Sequence, residues 1–410
     1  MVNQRETEDQ NEDKLAEIVQ ELVDADKKVQ LIYAFNGTGK TRLSRSFKRH
    51  PDVISEEGSE LTERKILYYS AFTEDLFAWD NDEVRKINIQ PNVFTDWILG
   101  FQGDERIIKN FQSYTDERLT PSFPPTTEQF TNSMGRRENR TTYPEVRFSF
   151  RGEDEIKPDI KISKGEESNF VWSMFYSLLE EVQEVLGEPN EELRDSDQFN
   201  KLRYIFVDDP VSSLDDNHLI QLAVDLAKLI KSHETELKFI ITTHNPLFFN
   251  VLQKEFQQPY EKLDANGQNK RIYSGGKAKF YRLDKSMDGT YSLFQLDRKT
   301  PFSYHLTLLK ELEDARQTGQ FTKYHFNFLR NILEKTATFL GHEKWENLLP
   351  KGADGNPDPF ASRILNLSSH SAHAGDELAE IQEGDKEKMI ELINFLNETY
   401  HFKRRENQNA

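Results

Sequence analysis

The chain has 410 residues, with 53 Lys and Arg against 71 Asp and Glu, for a formal net charge of −18. That acidity argues against a general nucleic-acid coat, because phosphate binding needs clustered cations, although a net charge says nothing of local patches. The absence of cysteine excludes disulfides, thiolate zinc sites and cysteine nucleophiles. No run approaches the roughly 18 apolar residues of a membrane span. The polar, acidic N-terminus has no apolar core of a secretory signal. The expectation is a cytoplasmic protein.

Residues 1–28 read as a polar leader, in which Leu15, Ile18, Val19 and Leu22 give the stretch Lys14 to Val23 the pattern of an amphipathic helix. Val29 to Ala34 reads as a strand that runs into a glycine turn, and residues 64–69 as a second strand. Residues 101–150, with Pro121, Pro124 and Pro125, give no clear assignment. Residues 169–186 have a helical pattern. Two apolar runs, 204–207 and 239–241, flank a Leu-, Ile- and Ala-rich helix at 219–230. Strand, helix, strand at this spacing predicts a parallel sheet buried on both faces. Residues 255–300 read as a hairpin or connector, and 303–345, 361–369 and 384–400 as helices. Charge is uneven: residues 1–30 hold four basic and nine acidic groups, residues 261–300 nine basic and five acidic.

The stretch from Ala34 to Thr41 reads Ala-Phe-Asn-Gly-Thr-Gly-Lys-Thr. It matches the P-loop pattern except that Ala34 stands at the first glycine. A phosphate loop needs backbone N–H groups turned inward at a helix start. Asn36, Gly37, Thr38 and Gly39 would form the cradle, Lys40 would bridge the β- and γ-phosphates, and Thr41 would ligate Mg²⁺. The strand Tyr204 to Val207 ends in Asp208 and Asp209. Asp208 suits the Mg²⁺-associated acid, and Asp209 the carboxylate that orients an attacking water. The alternative for these two is a solvated strand end.

With Ile162-Ser-Lys-Gly-Glu166, Ser212-Ser-Leu-Asp215 and Thr242-Thr-His244 added, the chain resembles the ABC-type ATPases, in the branch that holds SMC- and Rad50-like proteins. The resemblance implies that Ser163, Gly165 and Glu166 form a signature motif facing nucleotide on another protomer. It further implies that Asp215 lies in a D-loop, that His244 senses the γ-phosphate, and that Gln90 is a weak candidate for coupling nucleotide and metal. Taken singly, these residues read as a helix cap, a turn and a strand-end histidine. Relatives carry Glu where Asp209 stands, and the shorter arm suits a switch more than a motor.

Further along, Arg330 and Glu334 lie one helical turn apart, a spacing that alone describes a surface ion pair of about 0.3–0.5 kcal/mol. Leu367-Ser-Ser-His-Ser-Ala-His373 follows. Arg, Glu and His together can deprotonate a ribose 2′-hydroxyl, protonate a leaving 5′-oxygen and hold the phosphate charge.

Across about residues 29–375 the sequence resembles the PrrC-type anticodon nucleases. The match rests on long ordered blocks: Val29 to Ser44, Lys65 to Tyr69, Ala71 to Phe77, Lys164 to Phe170, Asp208 to His218 and Leu329 to Leu340. The resemblance implies an α/β ABC-type (P-loop) ATPase domain followed by a mainly α-helical C-terminal nuclease domain. The expected boundaries are 29–255 for the nucleotide-binding domain with its helical insert, 256–302 for a connector hairpin, and 303–402 for the ribonuclease. The implied triad is Arg330, Glu334 and His370, with His373 as the competing histidine, and a segment around Asp284 to His305 reads the anticodon. The resemblance also implies cleavage of a tRNA, tRNA-Lys in the family, to a 2′,3′-cyclic phosphate and a 5′-hydroxyl. The implied ligands are ATP or GTP, Mg²⁺ and a regulatory thymidine nucleotide (dTTP). The implied setting is a head-to-tail homodimer or higher oligomer, a type I restriction–modification enzyme as partner, and a latent toxin of anti-phage defence. The rival readings are an SMC- or Rad50-like repair ATPase whose C-terminal region binds a partner, and a defence ATPase that recruits a separate nuclease.

Overall fold

The computed structural model describes residues 2–54, 63–70, 77–80, 86–89, 99–100, 104–131, 137–152, 155–210, 215–264, 267–286, 289–298, 302–352, 355–359 and 381–402. Gln90, Ser212, Ser213, His370, His373 and the helix expected at 361–369 lie outside the described residues. The chain divides into two compact units, Met1–Phe302 and Ser303–Ala410.

The first unit opens with α1 (Val2–Asp24), β1 (Val29–Tyr33), α2 (Lys40–Lys48) and β2 (Ile66–Ser70). A lobe of short strands follows: β3 (Phe77–Asp80), β4 (Lys86–Ile89), β5 (Leu119–Ser122), β6 (Thr126–Thr131), β7 (Arg137–Thr142), β8 (Glu145–Arg151) and β9 (Ile156–Lys157), with α3 (Glu105–Tyr114) between β4 and β5. The long α4 (Lys164–Gly187) leads to β10 (Tyr204–Asp208), α5 (Asp216–Lys231), β11 (Lys238–Thr243) and α6 (Pro246–Gln257). Strands β12 (Tyr260–Leu263), β13 (Asn269–Tyr273), β14 (Ala278–Lys285) and β15 (Tyr291–Gln295) complete it.

The central sheet is mixed, in the order β15-β14-β1-β11-β10-β2. Only the β14–β15 edge is antiparallel; β14, β1, β11, β10 and β2 run parallel to one another. Every residue of β1 and β10 is buried, which is why these strands are mostly apolar, broken only by Gln30 and Asp208, and do not alternate. Register sets Tyr33 opposite Thr243 and Asp208 opposite Thr242. The C-terminal ends of β1, β11 and β10 therefore stop within one residue of one another. That end of an open α/β sheet is where ligands bind.

The stretch expected as a short amphipathic helix is the C-terminal half of α1, which extends from Val2. Leu15, Ile18, Val19 and Leu22 enter the core with Ile32, Leu43, Phe47, Phe206 and Tyr281. Gln30, fully buried on β1, donates its side-chain amide to the Leu22 carbonyl and so fastens the end of α1 to the sheet. Of residues 101–150, unassigned from sequence, the described ones include α3 and the β5–β8 strands. Strands β4, β8 and β5 pair antiparallel.

In the second unit the described elements are α7 (Tyr304–Thr318), α8 (Lys323–Leu340), a 3-10 turn at Trp345–Leu348 and α9 (Glu383–Tyr400). The stretch 303–345, expected to be helical, holds two helices and the start of a 3-10 turn. Gly319 takes φ 71°, the left-handed conformation that ends helices. Thr322 and His325 then form a reciprocal cap that starts α8.

If α1 belongs to the core, Leu22→Ala should destabilise the first unit by about 3 kcal/mol. Urea unfolding of the full chain followed by circular dichroism measures it; a loss within the noise of the wild-type curve would show α1 to be dispensable.

Candidate functional site

β1 delivers Ala34 to the start of a loop that ends at α2. Gly37 has φ 79° and Gly39 φ 109°, conformations that L side chains rarely adopt. A side chain on Gly39 would also collide with the Tyr291 ring, 2.8 Å from the position of a Cβ. The N-terminus of α2 has no side-chain cap, so its N–H groups remain available to an anion.

Lys40 is 8% exposed and turns back into this loop. Its Nζ donates to the Ala34 carbonyl at 3.3 Å, the Phe35 carbonyl at 3.4 Å and Asn36 Oδ1 at 3.2 Å. It also lies 3.3 Å from Asp209 Oδ2. Asp209 has φ 52°, an unusual backbone state for a non-glycine residue, and its N–H is held by the Thr242 carbonyl at 2.9 Å. His244 Nδ1 sits 2.6 Å from Asp209 Oδ2, and the His244 N–H donates to Oδ1 at 3.2 Å. The residues expected from three separate motifs thus meet in one cluster. Burial pushes the Asp209 carboxyl up, but the His244 hydrogen bond and the charge of Lys40 outweigh it and hold it below the ordinary value.

Asp208 has the opposite balance. Thr242 Oγ1 donates to it at 2.6 Å and the Tyr68 hydroxyl at 3.0 Å. Desolvation by burial nevertheless dominates and raises its carboxyl above the ordinary 3.8. Ser44 Oγ, which donates to the Thr41 carbonyl at 2.9 Å, extends the chain to Tyr68 at 3.4 Å. Sequence reasoning missed Tyr68, Ser44 and Thr242 as the groups that orient Asp208, since a lone hydroxyl on a strand or helix carries no pattern. The Asp208 carboxylate and an exposed Thr41 hydroxyl are hard oxygen donors of the kind Mg²⁺ takes alongside phosphate oxygens.

Ser163, Gly165, Glu166 and Asp215 line a cleft of ≈ 330 Å³ with Asp116, Asn169 and His218. Ser163 caps α4: its Oγ accepts the Glu166 N–H at 3.2 Å, and Glu166 Oε2 accepts the Ser163 N–H at 2.6 Å. Asp215 caps α5 and meets His218 Nδ1 at 2.6 Å. Hydrogen bonds from His218 hold the Asp215 carboxyl below its usual value.

In the second unit Arg330 Nε donates to Glu334 Oε1 at 2.8 Å on α8. The Arg330 guanidinium lies 5.7 Å from the centre of the buried Trp345 ring. Trp345 has no counterpart in the sequence reading. The segment Asp284–His305 spans the boundary between the units: Tyr291 and Phe302 are buried in the first, while His305, on α7, approaches Asn331 of α8 at 3.2 Å.

The sequence pattern of the AAA domain family matches residues 134–401. The chain is 44% identical to the "Anticodon nuclease" of Escherichia coli over 401 residues, 93% of this chain and 92% of that protein. It belongs to the PrrC-type anticodon nuclease family. Among solved structures, the Pyrococcus furiosus Smc head domain bound to the C-terminal domain of ScpA aligns with 52% of this chain and 39% of its own, at 14% identity and a TM-score of 0.24. The SmcHead bound to the C-winged helix domain of ScpA aligns with 62% and 61%, at 12% identity and 0.27. The family match assigns the chain an AAA-type ATPase domain, a nucleotide- and Mg²⁺-using unit. No helix among the described residues is long and apolar enough to cross a membrane.

Asp208 would have to be ionised to hold Mg²⁺. Its raised carboxyl takes up a proton as pH falls, before an ordinary Asp would. Mg²⁺-nucleotide affinity should therefore decline on acidification while pH is still above 3.8. Titration calorimetry from neutral pH downward tests this: Asp208→Asn should bind weakly with a flat profile, and a flat wild-type profile would contradict the role.

Proposed function

We propose that this protein is a nucleotide-gated anticodon nuclease that cuts a tRNA, tRNA-Lys by its family resemblance, in the anticodon loop. The observation that carries the reading is the 44% identity to the Escherichia coli anticodon nuclease across nearly the whole length of both chains. The products are a 2′,3′-cyclic phosphate and a 5′-hydroxyl, and the cleavage chemistry is supplied by side chains without a metal. Glu334 and His370 share the base and acid roles. One removes the 2′-hydroxyl proton, the 2′-oxygen attacks the adjacent phosphorus, and the other protonates the departing 5′-oxygen. Arg330 holds the phosphate oxygens where charge accumulates. The half-exposed Glu334, with Arg330 braced between it and Trp345, supports that assignment.

The gate is the nucleotide unit. ATP or GTP with Mg²⁺ occupies the loop from Asn36 to Thr41 beside Asp208, with Asp209 and His244 in hydrolysis, and a thymidine nucleotide as regulatory ligand. The signature cleft of one protomer faces the loop of a second, which requires a head-to-tail pair. A structural feature favours transmission toward the C-terminal half. Phe302, the last residue of the first unit, packs on Tyr33 just before the loop, with ring centroids 4.1 Å apart. Asn250 fixes the Phe302 carbonyl at 2.8 Å. In the cell, the protein is held silent by a type I restriction–modification enzyme and released as an anti-phage toxin.

Purified protein incubated with total tRNA and nucleotides should yield one cut tRNA with the stated ends. Arg330→Ala, Glu334→Ala and His370→Ala should each abolish the cut and retain nucleotide binding. An intact tRNA pool under every nucleotide would favour a partner-binding repair ATPase. Full cleavage by any one variant would remove that residue from the triad.

A further inference from the structure

We infer that the face of α8 bearing Tyr324, Asn327, Asn331 and Lys335, exposed at Tyr324 and Lys335 and half-buried at the two asparagines, is the surface on which the single-stranded RNA loop lies beside the cleaving pair. The inference rests on the reading of Arg330 and Glu334 as that pair. At 3.6 residues per turn, positions 324, 327, 331 and 335 share one side of the helix. Arg330 stands three residues after Asn327 and Glu334 three after Asn331, the spacing that makes helix positions adjacent. The two rows are therefore neighbours on the helix surface.

The chemistry of the row points to its occupant. Tyr324 is 71% exposed, and Phe339, 90% exposed, closes the row at the C-terminal end. Such rings offer faces on which splayed bases stack. Among the described residues, Lys335 forms no ion pair and Asn327 no side-chain hydrogen bond. Asn331 Oδ1 faces His305 Nε2 at 3.2 Å. Burial holds His305 below its ordinary pKa. Stacking rings, amides able to read base edges and an exposed ammonium for phosphate are the set that single-stranded RNA uses. A protein partner would instead be met by a desolvated apolar centre with a polar rim. Here the middle of the row is amide and ammonium.

The test is direct binding of a fluorescent anticodon stem-loop RNA to the full chain, together with single-turnover cleavage. Tyr324→Ala and Lys335→Gln should each raise Kd and KM about tenfold, the worth of one stacked base or one phosphate contact. The cleavage rate at saturation should stay within about threefold of wild type, as expected of groups that bind without joining the chemistry. Lys335→Gln should also lower the salt slope of binding by about 0.7. Both side chains are exposed, and an unchanged melting temperature checks the fold. Wild-type Kd and salt slope in both variants would overturn the inference, as would loss of a co-purifying protein with RNA binding intact. Arg330→Ala that still cuts would sink the reading of the pair, and leaves the binding result to stand or fall by itself.

Discussion

Lys40 and Asp209 meet at 3.3 Å with less than a tenth of either side chain exposed, and the nucleotide unit is organised around that contact. Two buried charges lose several kcal/mol each in desolvation, and the loss is recovered only with close geometry and further hydrogen bonds. Three oxygens of the loop supply these to Lys40, and His244 supplies them to Asp209. Removing one partner would strand the other at a cost of about 3–5 kcal/mol. The contact is possible only because β1, β11 and β10 stop within one residue of one another. A slip of one residue would turn each strand end to the opposite face of the sheet. Parallel register, a left-handed Asp209 and a glycine-bearing loop are therefore one arrangement.

The two units solve different problems. The nucleotide cluster is buried and preorganised, with neighbouring carboxyls pushed in opposite directions by burial and by His244. Arg330 and Glu334 instead sit at the surface, where a large substrate can reach them. A net charge of −18 fits that division. A low general affinity for polyanions, with RNA contact left to a few groups on α8, is what the proposed function expects of that charge. The charge that first argued against a nucleic-acid substrate argues only against an indiscriminate one.

Much of this was legible in the residues. β10 and β11 carry continuous apolar runs because both faces of the sheet are covered, and the glycines at 37 and 39 announce a backbone that other residues rarely adopt. The lobe from α3 to β9 was not legible. β6 and β7 read Thr-Thr-Glu-Gln-Phe-Thr and Arg-Glu-Asn-Arg-Thr-Thr, polar strands that pair with each other and carry no alternation to detect. The break at Gly319 was present in the sequence, as a glycine followed by a cap, but the apolar periodicity on either side masked it. The roles of Tyr68, Thr242 and Trp345 were missed because each acts on a residue distant in sequence, and only the fold brings them together. His370, His373 and Gln90 lie outside the described residues, so those assignments still rest on resemblance.

The central claim is that nucleotide held by the buried cluster governs the exposed RNA pair. Cleavage of tRNA by wild type and by Lys40→Ala, each with and without nucleotide, measures it most directly. The account predicts nucleotide-dependent cutting by wild type and none by Lys40→Ala, with that variant still folded and still able to bind the stem-loop. Full, nucleotide-independent cutting by Lys40→Ala would contradict it.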